Sequence, residues 1–163
     1  MRLSGSALEG HVADVVELLE RYGAVLGRDA DPHVKASPSG ARWFDVHADL
    51  PSIERDRRAT VAMREVWLPV AVDTFERSDY GYELLDPDRD LRRAYHLHDI
   101  EWFIRRYEVV VHEHCERPIG VARCAHYAGY PVRDAFAAVE LLVDAWLDPA
   151  EPDCDALMCL ERA

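Results

Sequence analysis

Lysine is almost missing from this chain. Lys35 stands alone, so arginine supplies nearly all of the 19 basic side chains, against 31 acidic ones. The formal net charge of -12 opposes the broad cation–phosphate contact on which nucleic-acid affinity rests. It suits a basic protein partner, steered in at low salt. No apolar run approaches the ~20 residues that span a bilayer as a helix, so no membrane association is expected. No charged leader with an apolar core follows Met1, and the expected compartment is cytoplasmic. In that setting Cys115, Cys124, Cys154 and Cys159 are expected as thiols or ligands, not as bridges. A glycine-rich phosphate loop and a G-x-S-x-G elbow are both missing. Their absence removes two common routes to nucleotide binding and serine catalysis.

What is present suffices for one folded unit. The chain has 163 residues, of which 49% are hydrophobic, and this is enough for a core without staples. A single domain over residues 1–163 is expected, with no internal repeat. Ser6 to Tyr22 has helical period, with Leu8, Val12, Val15, Leu18 and Leu19 on one stripe. Ser6 and Glu9 form a capping box, and Gly23 ends the helix. Residues 27–40 carry Asp31-Pro32 and Ser37-Pro38-Ser39-Gly40, which predicts a mobile loop.

Arg42 to Asp49 alternates as a strand, with Phe44, Val46 and Ala48 on one side. Thr60 to Phe75 reads as a strand interrupted near Pro69, at an edge or a bulge. Tyr80–Leu85, Arg93–His98 and Trp102–His114 follow at short spacing, which suggests a meander. Pro131 is placed as the first residue of a last helix. Its apolar stripe is Val132, Phe136, Val139, Val143 and Trp146. An acidic tail covers about 149–163, with a helical turn expected near Asp155–Leu160. The fold class is therefore α+β: an antiparallel β-meander of about five strands with N- and C-terminal helices packed on one face.

The chemistry concentrates between Tyr107 and Tyr127, YEVVVHEHCERPIGVARCAHY. Two strands around the turn Glu116–Gly120 carry His112, His114 and Cys115 on one side and Cys124 and His126 on the other. If His112 pairs with Cys124 or with His126, then His112, His114, Cys124 and His126 share one face. Opposed Cα atoms about 4.5–5.5 Å apart suit imidazole and thiolate ligands of zinc. A slip of one residue separates the two pairs. Burial of Val109, Val111, Val121 and Ala125 together favours the shared-face register. Glu113 and Glu116 are the candidate general bases of such a site.

Three other features bear on chemistry. His47-Ala48-Asp49 puts an imidazole and a carboxylate on one strand face. Arg92, Arg93, Arg105 and Arg106 form a basic patch, with internal pairing to nearby acids as the expected fate. His96-Leu97-His98 resembles the paired metal ligands of HUH nucleases, which attack DNA with a tyrosine. The resemblance covers those three residues. Tyr127 and Tyr130 precede the last helix, which has no lysine, so the family's tyrosine–lysine helix has no match. A tight turn at Asp99-Ile100-Glu101 would set His112 on the order of 25 Å along the sheet from His98, keeping the histidine pairs apart.

The expected function is a zinc-binding hairpin that supports hydrolysis of an unknown small molecule. The alternative is a non-enzymatic acidic protein that binds a basic partner.

Overall fold

The computed structural model describes residues 1–27, 31–51, 58–97, 101, 105, 111–116, 118–120, 122–127, 132, 134–148 and 158–159. For residues 31, 111–115, 122–127 and 158–159 it describes the backbone alone.

A short strand β1 (Arg2–Ser4) leads into helix α1 (Gly5–Arg21). Ser4, in extended conformation, caps the helix by accepting a hydrogen bond from the Ala7 amide at 3.2 Å. The cap therefore lies two residues before the expected Ser6. Gly5 is held by Asp73, whose carboxylate accepts its N–H at 3.1 Å. A Cβ at Gly5 would sit 2.7 Å from that oxygen, so this contact needs glycine. Leu8, His11, Val12, Val15 and Leu19 form the buried stripe of α1. Gly23, at φ +80°, turns the chain after it, as a left-handed glycine commonly does.

Strands β2 (Val25–Leu26), β3 (Asp31–Ala36), β4 (Arg42–Leu50), β5 (Ala59–Ala71), β6 (Thr74–Asp86) and β7 (Leu91–Leu97) follow. Then come β8 (Val111–Glu116), β9 (Ala122–Tyr127), helix α2 (Ala135–Leu147) and β10 (Met158–Cys159). All strand pairings are antiparallel, in the order β10-β9-β8-β7-β6-β5-β4-β2, with β1 on β6 and β3 on β4. The strands β4 to β8 are the curled body of a half-barrel, and the two helices cover one face.

Alternation explains that cover. Phe44, Val46, Ala48 and Leu50 of β4 are buried, as are Ala59, Val61, Met63 and Trp67 of β5 and Tyr82 and Leu84 of β6. Against all of these but Trp67, which packs with Leu8 and Phe75, α2 presents Ala135, Ala138, Val139, Leu142, Val143 and Trp146. Of the expected stripe, Val139, Val143 and Trp146 are buried on α2, Phe136 is only half-buried at its edge, and Val132 is buried ahead of the helix and not in it.

Several local expectations are corrected. The stretch 27–40 is not one loop. Ser37–Gly40 is a tight turn, closed by Ser37 N–H to Ala41 at 2.8 Å, and it lets β3 pair with β4. Thr60–Phe75 is not one strand, because the chain reverses at Val72-Asp73 between β5 and β6. Asp73 takes φ +48° there, a conformation Asp tolerates better than most residues. Pro69 falls where β4 no longer accompanies β5, beside a bulge, so its missing N–H costs no ladder bond. Helix α2 is capped by Asp134, which accepts from Phe136 and Ala137 at 2.9 and 3.1 Å. It therefore starts later than Pro131. The tail residues 158–159 are strand, not helix. Glu101 and Arg105 are helical and paired with each other, so the long strand expected from Trp102 does not start there; its described part is β8. The other residues of that stretch lie outside the described ones, as do residues 52–57.

Candidate functional site

The sheet face turned away from the helices carries a groove of about 640 Å³. Its floor is made by small residues of three adjacent strands: Ala62 on β5, Gly81 on β6 and Ala94 on β7. A curled sheet with short side chains at its centre leaves a hollow. Asp45, His47, Arg64, Asp79, Glu83, Arg92 and His96 surround it.

The strand register orders these residues in rows. One row runs Asp45, Arg64, Gly81, His96 and His112, each directly opposite the next. The adjacent row runs His47, Ala62, Glu83, Ala94, His114 and Ala125. His96 and His112 are therefore cross-strand partners, which corrects the expected separation of the histidine pairs. The reason is the connection: β7 ends at Leu97 and β8 starts at Val111. A link of that length lets β8 run along β7 in this register, which the expected short turn would not. His98 lies outside the described residues.

The β8–β9 hairpin does not take the expected register. Glu113 is opposite His126, His114 opposite Ala125, and Cys115 opposite Cys124, with a bulge before Glu116. Strand alternation then gives Cys124 and His126 the parity of Glu113 and Cys115, not that of His112 and His114. Val121 is outside the described residues. The bulge next to the turn at 118–120 adds the residue that changes the parity.

Arg92, on the groove's lining, ties three strands together. It donates to Glu83 on β6 at 2.7 Å and also to Glu116 on β8. The hydrogen bond to Glu83, opposed by partial burial and helped by both carboxylates, raises the Arg92 pKa. Glu116, expected as a general base, is buried, and its other oxygen accepts the Gly120 N–H at 2.9 Å. Its bonds fasten the turn. Arg64 and Asp45 are held more loosely, 3.9 Å apart on the rim. Asp45, not Asp49, lines the groove with His47. Of the expected basic patch, Arg105 pairs with Glu101 as foreseen, whereas Arg92 is paired with Glu83 and Glu116 and not with the acids nearest it in sequence.

A second polar cluster lies on the helix side. Glu65 is fully buried, and both of its oxygens are satisfied. One accepts from Arg77 at 2.8 Å and from the Tyr82 hydroxyl at 2.5 Å. The other accepts from Trp67 at 3.1 Å and meets His11 Nε2 at 3.0 Å. Burial alone would raise the Glu65 pKa; the hydrogen bond and charge of His11, with Tyr82 and Arg77, hold it below the ordinary value. Burial and the Glu65 charge push Tyr82 upward. With every lone pair engaged, this cluster joins α1 to the sheet. The sequence reading missed it, although two signals were available. His11 sits on the helical stripe between Leu8 and Val15, and Glu65 continues the Val61, Met63 alternation.

Among the described side chains, no group of three or more His, Cys, Asp or Glu is arranged to hold a metal. Among the described residues, no helix is long and apolar enough to cross a membrane. Comparison with family models, curated proteins and solved structures gives no match.

Proposed function

We propose that the groove face is a hydrolytic centre in which His96, His112 and His114 hold a transition metal, with zinc the best suited. The observation that carries this reading is the register of β7 and β8. His112 lies opposite His96, and His114 is the next residue of the same parity on β8. Opposed Cα atoms in an antiparallel pair are about 4.5–5.5 Å apart, and alternate residues of one strand about 6.5–7 Å. Three imidazoles at those spacings, with an open fourth position, form a ligand set known from catalytic zinc. It keeps two members of the expected hairpin set, His112 and His114. It replaces Cys124 and His126, whose parity differs, by His96.

The groove supplies the rest. Bound zinc would lower the pKa of its water to about 7 and polarise the scissile carbonyl or phosphoryl oxygen. Glu83, on the groove wall and held by Arg92, would orient that water and accept a proton. Gly81 and Ala94 leave room beside His96 for a small substrate.

The test is hydrolysis of a panel of chromogenic carboxylic and phosphate esters by zinc-loaded protein. Activity that is lost on chelation, restored by zinc and abolished in His96→Ala supports the reading. A protein that shows no zinc-dependent turnover with any ester, or the same turnover in His96→Ala, contradicts it.

A further inference from the structure

Among the described residues two arginines line the groove, Arg64 and Arg92, and they are held differently. Arg92 is engaged inside the sheet. It donates to Glu83 at 2.7 Å and to Glu116, and its side chain is 25% exposed. Arg64 is paired with Asp45 at 3.9 Å, which is longer than a hydrogen bond. Its side chain is 62% exposed, and an ion pair screened by water in this way is weak. An incoming carboxylate can therefore take the place of Asp45 and make two parallel hydrogen bonds to the guanidinium.

The position of Arg64 gives that exchange a use. Arg64 stands directly opposite Gly81, and Gly81 stands directly opposite His96. Neighbouring strands lie about 4.7–4.9 Å apart, so Arg64 and His96 are roughly 10 Å apart along the row. The residue between them is glycine, so no side chain fills the span. We propose that the groove takes small carboxylic esters that carry a free carboxylate a few bonds from the scissile group. Arg64 grips the carboxylate, and the ester lies over Gly81 toward His96. This assignment rests on the hydrolytic reading of the groove and adds the substrate class to it. In the reaction the oxygen of water bonds to the acyl carbon and the acyl–oxygen bond breaks. One proton of the water goes to the departing alcohol, and the other is released with the new carboxylate.

Charge narrows the class. Asp45 is the cross-strand partner of Arg64, and Asp79 lies on the groove two residues from Gly81. Both carboxylates repel a second negative charge beside the guanidinium, so a carboxylate monoanion suits the place and a phosphate dianion does not. A neutral ester gains nothing from Arg64, and this is how a polar site separates two such substrates.

The test compares acetate release from 4-acetoxybutanoate and from its neutral methyl ester by zinc-loaded protein. Wild type should favour the free acid by at least tenfold in kcat/KM. That preference should fall at least tenfold in Arg64→Ala, mainly through KM for the acid, and rise in Asp45→Asn, which releases the guanidinium. Turnover of both esters without preference, or a preference that survives in Arg64→Ala, overturns the assignment and leaves the hydrolytic reading standing. If neither ester is turned over, the hydrolytic reading fails. Glutarate binding to the metal-free protein, followed by NMR titration, then decides for the carboxylate site. Binding that is lost in Arg64→Ala supports it, and absence of binding to wild type overturns it.

Discussion

His11 of α1 and Glu65 of β5 stand 54 positions apart in the chain and meet at 3.0 Å in the core. Removing either partner leaves a buried polar group, because Trp67, Tyr82 and Arg77 converge on the same carboxylate. Glu65→Ala strands the nearly buried Arg77 guanidinium and should cost roughly 3–5 kcal/mol. Urea unfolding at neutral pH measures it. A loss below about 1 kcal/mol would show that water or rearrangement replaces the network.

The same carboxylate sets a pH dependence. Its pKa is lower in the folded protein than its ordinary value of 4.5. A lowered folded pKa contributes stability that is fully present above the unfolded value. It is lost as pH falls from there through the folded pKa. Wild-type stability should therefore fall with acidification below about pH 4.5, the ordinary value. Glu65→Gln should fall less steeply over that window. Parallel curves for the two proteins would place the acid sensitivity elsewhere.

Helix α2 offers a graded test of packing. Trp146 is 4% exposed, and Phe136 is only half-buried at the edge of the cluster. Trp146→Ala should cost roughly 3–5 kcal/mol, and Phe136→Ala clearly less. Equal losses in denaturant would contradict this difference in burial.

Parts of this fold were legible because one physical signal dominated locally. The α1 stripe, the β4 alternation and the α2 stripe each bury one face, and periodicity reports burial directly. The long β5–β6 hairpin was missed because Pro69 drew attention from the real reversal at Val72-Asp73. The proposed site was only half legible. His112 and His114 were visible as an alternating pair, but their partner His96 depends on the length of the link between β7 and β8. The parity of Cys124 depends on one bulge next to Glu116. Neither a link of that length nor a one-residue bulge has a strong local signature.

Gly81 probes the groove beside His96 without replacing a proposed ligand. A Cβ there would meet only the His96 Cβ, at 3.9 Å, so a larger side chain fits the strand and projects into the hollow. Gly81→Val should fold normally, since β-branched residues suit strands. It should hydrolyse the responsive ester at least tenfold more slowly. Unchanged turnover would show that substrate does not use this groove.

The histidine site at β7–β8 is tested most directly by equilibrium zinc binding to wild type and His112→Ala, with circular dichroism on the same samples. The account predicts that the variant keeps its secondary structure and binds one zinc ion fewer than wild type. Identical zinc binding by the two proteins, or a wild type that binds none, contradicts it.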